Sequence, residues 1–567
     1  MSQHHGATRL AQRHRRIDHT TLVTANLLSV LKEGSFTDVI FIVNKQTFRA
    51  HRAVLASQCD YFRCMLFGDM IESQQGAEIT IKDTTPEAFQ QLLDYLYSGR
   101  VNLGGLPEGT VIDLLGLADK CQLTDLVQGI SQYLADTLNV SNVCVVAGYA
   151  ELYHLTDLYK KCLYFIDSRA PQLIHSNELL TLPQSLLCAI LDRDSFYAEE
   201  KCILQVVSKW LEHSKVETSQ AKELLNKVRL ERFSLEEILD IVRPTKLFEA
   251  DCMLQALDAQ RDEDFVRERG LMVPGRNMAT PDMVYVVNAA WFESRLFDGN
   301  MHTYTYHYYG DEGIRIELTT PAIVNCIILH LHDTDEVSYS YYIEVSLTGR
   351  KWKNVVDYSM FTCKGLQELY FQQQMVKHFR VVGVRPGSNI QHLFPSNDMF
   401  KLVNFECYFR ESPPLLGPAS VVIPSQNVIN IQCQEDLYLG FYEDSFISHI
   451  IEDGILIIQL PQPYYISSLK FQLYPIRPDL DCRFEYIVEV CDVYEEWEVV
   501  ATRSGAKQGS WQVISFPARI VCWISINGIS CTNAFGEEID CDEFAISGIE
   551  CPMNVADSGE SVVGDLV

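Results

Sequence analysis

The hydrophobic pattern changes its period several times within the first hundred residues of the chain. Alternating apolar and β-branched residues at 38–43 and 48–52 predict two strands joined by a short turn. From 53 to 66 the apolar residues recur at spacings of three and four, which predicts helix with one buried face. A third strand at 79–81 and a second amphipathic helix at 86–99 complete the pattern of a mixed α/β domain.

Two other patterns follow along the chain. Apolar residues keep helical spacing from residue 110 to about 262, which predicts an all-α array. From residue 273 the pattern becomes one of short alternating strands separated by turn residues, typical of a β-sandwich or jelly roll. This last part is duplicated, since residues 273–277 recur as 423–427 and Trp352 recurs as Trp497, at offsets of 150 and 145 residues.

The charge and length of the chain limit its partners. Its 567 residues include 75 acidic and 46 basic residues, giving a net charge of −29, which argues against general binding to nucleic acid or to an anionic membrane. The length suits about three to five domains, and no apolar run predicts a transmembrane segment. Residues 1–17 are interpreted as a disordered basic tail without the apolar core of a secretory signal, and residues 553–567 as an acidic tail.

The 18 cysteines are spread over the whole chain, and none forms a Cys-x-x-Cys pair. A late group is separated by spacings too long for a standard zinc site: Cys482, Cys491, Cys522, Cys531, Cys541 and Cys551. Extracellular disulfides would be one explanation of this group. Because a secretory signal is not recognisable, we favour reduced thiols in a cytoplasmic protein, and we expect neither a metal nor a cofactor.

Motifs for catalysis are missing from the sequence. It has no Gly-x-Ser-x-Gly elbow, no phosphate loop ending in Gly-Lys-Ser/Thr and no His-Glu-x-x-His pair, so we expect no enzyme. The strongest metal-like pattern is formed by His330 and His332, followed by the carboxylates of Asp333 and Asp335, because residues two apart on a strand share a face. A structural role for these histidines is the favoured interpretation.

The mixed α/β segment resembles the BTB/POZ domain. The resemblance is carried by Thr37-Asp38-Val39, Ala50-His51-Arg52, Tyr61-Phe62 and the run from Phe89 to Gly99. In that family Asp38, His51 and Arg52 mark fold and dimer-interface positions. The resemblance therefore implies a homodimer that forms through this domain.

The remaining segments resemble two other families. The helical array is similar to the BACK domain through Asn139-Val140-x-Asn142-Val143 and Trp210, and it implies a spacer and support. The first β-rich copy resembles the discoidin domain, or coagulation factor 5/8 type C domain, through Leu296–Asn300, the 341–346 strand and Arg380-Val381-Val382-Gly383. The second copy has diverged, since it lacks the Asp-Gly-Asn segment and the Arg-x-x-Gly ending.

Together these resemblances predict a multidomain α+β protein of the BTB/POZ domain-containing protein 9 family. Its parts are an α/β BTB/POZ domain, an all-α BACK array and two discoidin-like β-sandwiches of jelly-roll type. The predicted boundaries are 18–125 for BTB/POZ, 126–262 for BACK, and 273–411 and 423–552 for the two sandwiches.

This architecture implies a substrate adaptor of a Cullin-3 ubiquitin ligase. In such adaptors the BTB domain binds Cullin-3 and distal domains hold a protein substrate, which no pattern here identifies. The matching apolar-x-Glu motif is Met70-Ile71-Glu72, which follows the helix that carries Tyr61 and Phe62. Met70 would supply an adaptable apolar side chain and Glu72 an acceptor for hydrogen bonds. The alternative interpretation is that Met70 packs inward and Glu72 is only solvated.

Two other functions stay open at this point. One is a dimeric scaffold or co-regulator that does not bind a cullin. The other is binding of a glycan or lipid head group through the first discoidin-like copy, whose candidate loops contain Asp298, Gly299, Asn300, Tyr304 and Tyr306. The aromatic residues of these loops could equally line a groove for a protein substrate or pack within the sandwich.

Overall fold

A computed structural model describes most of the chain. The described residues are 19–69, 71–74, 78–216, 221–261, 267–287, 293–333, 337–385, 398–429, 446–451, 454–478, 480–493, 496–539 and 541–551. The predicted basic and acidic tails and Met70 lie outside them. The chain divides into two compact units, the first reaching Arg193 and including Ala198–Glu249, the second containing Asp194–Tyr197 and the chain from Ala250 onward.

The first unit begins with a small three-stranded sheet and the helices packed on it. Strand β1 pairs antiparallel with β2 and parallel with β3, as the alternating pattern predicts. Phe41 of β1 meets Phe62 and Phe89 of two helices in the core, with ring centroids 5.7 and 5.3 Å away. The elements in chain order are α1 Thr20–Glu33, β1 Val39–Val43, β2 Gln46–Ala50, α2 Arg52–Gln58, α3 Asp60–Phe67, a 3₁₀ turn Ile71–Ser73, β3 Glu78–Ile81 and α4 Pro86–Ser98.

Local signals explain the limits of helix α4. The Thr85 hydroxyl accepts a hydrogen bond from the backbone N–H of Ala88 (3.4 Å), and Pro86 occupies the first turn, where its missing N–H costs nothing. Gly99 ends the helix in the left-handed conformation, at φ 66°. The buried face of the helix carries Phe89 and Leu92 among the apolar residues that the spacing predicts.

Short helices form the rest of the first unit, and the predicted all-α array is confirmed. Trp210 is buried among them and donates its indole N–H to the carbonyl of Leu182 (2.9 Å). None of the helices in the described part of the chain is long and apolar enough to cross a membrane. The helices in chain order, of which the last belongs to the second unit, are α5 Glu108–Lys120, α6 Thr124–Asp136, α7 Val143–Leu152, α8 Thr156–Ser168, α9 Ala170–Leu173, α10 Gln184–Asp192, α11 Glu200–Ser214, α12 Lys222–Leu225, α13 Leu235–Glu237, a π-helical turn Ile238–Val242, α14 Arg243–Thr245 and α15 Ala250–Ala259.

The first β-rich domain is a sheet that folds over on itself. Its strands run in the order β5-β10-β6-β9-β7-β8, with β4 added to one half of β6. The long strands β6 and β9 pair through two register shifts, between Glu317 and Ala322 and between Val324 and Cys326. Such shifts bend a strand, so each long strand serves both layers of the sandwich. The strands are β4 Val284–Val287, β5 Thr305–Tyr308, β6 Ile314–Leu331, β7 Tyr339–Ser346, β8 Lys353–Cys363, β9 Leu366–Val384 and β10 Met399–Tyr408.

The second β-rich domain repeats this topology without a described counterpart of β4. Its strand order is β11-β16-β12-β15-β13-β14, and the long strands β12 and β15 again shift register along their pairing. The predicted fold class, an α/β and helical N-terminal part followed by antiparallel β-sandwiches, is thereby confirmed. The strands are β11 Ile447–Ile450, β12 Leu456–Leu473, β13 Arg483–Cys491, β14 Glu498–Lys507, β15 Trp511–Thr532 and β16 Glu543–Glu550.

Candidate functional site

The segment that follows helix α3 presents apolar side chains at the surface of the BTB-like domain. Phe67 is 59% exposed and Ile71 is 81% exposed, which is unusual for large apolar residues so close in sequence. Glu72 and Tyr61 are half-buried. Phe62 is only 1% exposed, so its ring is not accessible to a partner. It supports this surface from the core.

Arg52 holds the shape of this exposed segment. Its guanidinium donates hydrogen bonds to the carbonyl of Leu66, near the end of α3, and to the carbonyl of Ser73 (2.7 Å), in the 3₁₀ turn. It also lies over the Phe67 ring, 5.1 Å from the centroid. One side chain therefore ties both ends of the loop that carries the apolar-x-Glu motif.

Asp38 and His51 organise the fold around that arginine. The Asp38 carboxylate accepts the backbone N–H of Arg52 (2.7 Å) at the start of α2. His51 Nε2 donates to the carbonyl of Ser35 (2.7 Å), and its Nδ1 accepts from the hydroxyl of Tyr97 (2.7 Å). Burial raises the pKa of Tyr97 to about 12, so this hydroxyl keeps its proton at physiological pH. Both ring nitrogens of His51 are therefore engaged within the fold.

Sequence reasoning did not assign Phe67 to this surface, and it named Ile71 only as the middle residue of the apolar-x-Glu motif. The signal for Phe67 was present, because it is out of phase with the buried positions Phe62 and Leu66 of the same helix. Met70, the apolar member of the predicted motif, lies outside the described residues. The predicted cullin-binding role of these residues stays a prediction.

Helix α1 exposes a second apolar surface. Leu22, Val23 and Leu27 are all exposed, and Leu31 is the buried residue of the helix. This 14-residue helix packs against α4 but buries little of its apolar surface there. Such a helix is typical of an element that a partner covers.

The predicted Asp-Gly-Asn loop of the first β-sandwich is a self-contained turn. The Asp298 carboxylate accepts from the backbone N–H of Asn300 (2.7 Å) and from the hydroxyl of Thr303 (2.8 Å). Asn300 in turn accepts the backbone N–H of His302 (3.0 Å), and Gly299 has φ 70°, where glycine is favoured. The side chains that were candidates for ligand contact thus shape their own loop, although all three residues are exposed.

The predicted tyrosines form a row on the outer side of strand β5. Tyr306 lies 6.4 Å from Tyr304 and 5.8 Å from Tyr308 between ring centroids, and Tyr308 is exposed. The ammonium group of Lys401 lies 5.1 Å from the centroid of the Tyr304 ring, and the His332 ring packs on the same tyrosine at 4.7 Å. This tyrosine row offers aromatic surface, whereas Lys401 is 7% exposed and supports Tyr304 from within the domain.

The metal-like histidine pattern is separated in the structure. His330 pairs with Asp333, with 3.5 Å between Nε2 and Oδ2, and this hydrogen bond lowers the pKa of the Asp333 carboxyl. His332 instead packs against Tyr304. Within the described residues, the group with metal-ligand spacing consists of three late cysteines, Cys482, Cys531 and Cys541. Sequence spacing gave no sign of this group, because 49 residues separate Cys482 from Cys531 and only the fold brings them together.

The duplication is visible in matched hydrogen bonds. His307 Nε2 accepts the backbone N–H of Gly383 (2.9 Å), and His449 Nε2 accepts that of Gly528 (2.9 Å). Tyr341 donates to Gln367 (3.2 Å) as Tyr486 donates to Gln512 (2.8 Å).

These pairs show which part of the Arg-x-x-Gly ending the second copy has lost and which part it keeps. Ser525 replaces the arginine, but Gly528 keeps the glycine because an added Cβ would overlap the Phe544 ring. The region that would correspond to Asp298–Asn300 lies outside the described residues of the second copy.

Family models match the N-terminal part of the chain. The BTB/POZ domain model matches residues 27–138, and the model described as BTB And C-terminal Kelch matches residues 143–243. Kelch-like protein 6 of Homo sapiens is 32% identical over 195 residues, which cover 34% of this chain and 31% of that protein. A BTB domain followed by a BACK domain is thus present.

Other relatives extend the similarity through the β-rich part. BTB/POZ domain-containing protein 9 of Bos taurus is 34% identical over 565 residues, which cover 94% of this chain and 89% of that protein. The Homo sapiens protein of the same name is also 34% identical, over 578 residues that cover 97% of this chain and 92% of that protein. Because the likeness spans nearly the whole length of both partners, the chain belongs to the BTB/POZ domain-containing protein 9 family.

Proposed function

We propose that this chain is a non-enzymatic substrate adaptor of a Cullin-3 ubiquitin ligase that acts in the cytoplasm. Its BTB and BACK domains form a homodimer and bind Cullin-3, and its C-terminal discoidin-like domains recruit a protein substrate. BTB–BACK pairs are typical of Cullin-3 adaptors, and this chain has both domains.

The main support for this proposal is the exposed segment that Arg52 holds in place through hydrogen bonds. Phe67 and Ile71 offer apolar area to a partner helix, and Glu72 offers a carboxylate beside them. Arg52 bonds both ends of the segment, so little conformational entropy is lost when a partner binds. A surface already ordered in this way suits docking better than a loop that must fold on binding.

Cullin-3 binding is tested with the purified full-length chain and the N-terminal region of Cullin-3. We expect the double variant Ile71→Ala, Glu72→Ala to weaken the affinity at least about tenfold, because truncating interface anchors costs more than about 1 kcal/mol each. Met70→Ala with Glu72→Ala tests the motif predicted from the sequence. Arg52→Lys keeps the charge but loses the two-ended bridge, and a smaller loss of affinity is expected.

The control for that experiment is Leu235→Ala, which truncates an exposed leucine elsewhere in the first unit. Wild-type affinity is expected for this variant. Full cullin affinity of a folded Ile71→Ala, Glu72→Ala protein would contradict the assigned contact. A wild-type chain that does not bind Cullin-3 at all would favour the dimeric scaffold without a cullin.

The tyrosine row of the first discoidin-like domain is the proposed substrate surface. Tyr306 and Tyr308 present aromatic rings next to each other, and such rings are enriched at protein interfaces. Proximity labelling in cells compares the wild type with Tyr306→Ser, Tyr308→Ser in the same experiment. The variant is expected to keep Cullin-3 and to lose other neighbours, whereas an unchanged set of neighbours would place the substrate surface elsewhere.

Glycan or lipid binding is the weaker candidate for this domain. Asp298 and Asn300, which would face such a ligand, are engaged in hydrogen bonds within their own turn. A ligand would have to compete with those bonds or use the tyrosines alone.

A further inference from the structure

Three buried cysteines meet at one end of the second discoidin-like domain. The Sγ atoms of Cys482, Cys531 and Cys541 all lie within 4.8 Å of one another. The three residues are 0%, 5% and 6% exposed, and they belong to the hydrophobic core of this domain. They are separated by 49 and 10 residues in sequence (531 − 482 and 541 − 531), so only the fold brings them together.

The strand pairing explains how they meet. Cys531 of β15 lies opposite Phe484 of β13, and Cys482 precedes Phe484 by two residues, so the two thiols share the inner face of one layer. Cys541 comes from the segment that leads into β16, which pairs with β12 in the other layer. The thiols therefore connect the two layers of the sandwich at its end.

The first discoidin-like copy has no such group. With the offset of 145 residues that relates Tyr486 to Tyr341, Cys482 corresponds to Val337 and Cys531 corresponds to Pro386. With the offset of 144 that relates Phe544 to Phe400, Cys541 corresponds to Asn397. Since the first copy folds with none of the three thiols, the general architecture does not require them.

We propose that Cys482, Cys531 and Cys541 form a thiolate site for Zn²⁺. Sulfur ligands are preferred by thiophilic ions such as zinc, and three thiolates leave the fourth tetrahedral position for another ligand. At a Zn–S distance of about 2.3 Å, tetrahedral geometry places sulfur atoms about 3.8 Å apart, so side-chain adjustments of about 1 Å convert the observed spacing into a ligand set. Binding releases three thiol protons and leaves one net negative charge on the site.

The surroundings suit such a site. The amide oxygen of Gln508 is buried and accepts no hydrogen bond from any described residue, while the backbone N–H of Gln508 donates to the carbonyl of Cys482 (3.0 Å). Gln508 thus joins its segment to Cys482 and carries a buried acceptor that the described residues leave unused. Burial raises the pKa of the Cys482 thiol, whereas the positive charge of Arg477 lowers it and would offset the net charge of a zinc thiolate.

The expected role of the ion is structural. Three ligands from two layers would clamp this end of the sandwich. Because zinc binds the folded site far better than the unfolded chain, its binding free energy adds to the stability of this domain.

The test uses the full-length chain, purified without oxygen and without added chelator. Elemental analysis by mass spectrometry is expected to find about one zinc per chain. Replacement by Co²⁺ is expected to give the intense sulfur-to-cobalt absorption of a thiolate site. Cys482→Ser and Cys541→Ser should each lose the bound zinc and the absorption. The control Cys551→Ala removes a buried thiol of the same domain outside the group and should keep both.

If a variant does not fold, zinc removal and zinc addition with the wild-type chain still test the site. Removing zinc with a chelator should lower the thermal midpoint of the β-sheet transition, and adding Zn²⁺ back should restore it. A folded wild-type chain with no bound zinc and no cobalt-thiolate absorption would overturn the proposal. So would a disulfide between two of the three cysteines, found by mass spectrometry of the anaerobically purified protein.

Discussion

At the scale of single residues, the matching histidine–glycine pairs show a steric requirement that both sandwiches share. Gly383 and Gly528 each donate a backbone N–H to a buried histidine, and each packs its Cα against a phenylalanine ring. The reason for glycine is steric, since a Cβ at either position would overlap Phe400 or Phe544. The same solution in both copies points to a constraint of the architecture rather than of one domain.

We expect Gly528→Ala to destabilise the second sandwich by about 1–3 kcal/mol, the usual cost of overpacking a core. The measurement is the midpoint of the β-sheet transition in thermal unfolding of the full-length chain. Gly129→Ala is the control, because a Cβ there would meet nothing within 4 Å and helix α6 favours alanine. An unchanged midpoint for Gly528→Ala would show that Phe544 moves aside without cost.

Two histidines of the first sandwich, the buried His307 and the half-buried His378, predict a pH dependence. Burial lowers the pKa of His307, whose Nε2 must stay unprotonated to accept the Gly383 N–H, and burial also lowers the pKa of His378. The unfolded chain, with histidine pKa values near 6.5, therefore takes up protons first as the pH falls. The stability contributed by these groups is present above about pH 6.5 and is lost below it, by up to about 1.4 kcal/mol per pH unit for each proton.

The check is the thermal midpoint of the β-sheet transition, followed from about pH 7.5 down to about pH 5.5. The midpoint of the wild type should fall over this range. His307→Gln should start lower, because a well-placed acceptor is lost, but should change less with pH. An equal slope in the variant would mean that His307 does not titrate in this window.

At the scale of elements, helix α1 shows what periodicity alone does not determine. Its apolar residues suit a helix, yet Leu22, Val23 and Leu27 are exposed and only one side of α1 meets α4. Such a helix gains its stability from packing rather than from propensity. A second copy of the chain is the proposed cover, in keeping with the dimer that the BTB resemblance implies.

We expect Leu22→Asp with Val23→Asp to convert a dimer into a monomer in sedimentation equilibrium, because two carboxylates would be buried without partners at the interface. Leu254→Asp is the control, since this leucine is comparably exposed on α15. A wild-type monomer, or a variant that stays dimeric while folded, would contradict the assignment of α1 to the interface.

At the scale of the whole molecule, the two sandwiches share packing and hydrogen bonds. The hydrophobic core of the first one extends to Cys491, Cys522 and Trp523 of the second. The Trp523 indole donates to the hydroxyl of Thr362 (2.8 Å), and the Gln367 amide donates to the carbonyl of Pro461 (2.7 Å). The duplicated domains are therefore expected to unfold together rather than one after the other.

Trp523→Phe tests this coupling. Losing the indole leaves the buried Thr362 hydroxyl without that donor, at a cost of about 1–3 kcal/mol. Calorimetry of the full-length chain should show a lower midpoint and a broader or divided β-sheet transition. Trp511→Phe, on the same strand but exposed, should change little. Two separate transitions already present in the wild type would contradict the coupling.

The sequence by itself determined the fold classes and the family, because periodicity, caps and turn residues are local and each agreed with the next. Helix α4 illustrates this, since Thr85, Pro86 and Gly99 fix its limits without help from distant residues. The duplication was also visible in sequence, although the retained glycine of the second copy was not.

Only the tertiary structure decided which side chains meet. Strand pairing across 49 residues brings Cys482 to Cys531, and no spacing rule covers that distance. In the same way, Arg52 donates a hydrogen bond to Ser73 and so holds the segment beside the apolar-x-Glu motif. His330 pairs with Asp333, whereas His332 packs against Tyr304. Contacts of this kind depend on how whole helices and strands pack against each other. The hydrophobic pattern of the sequence indicates only on which face of its own helix or strand a residue lies.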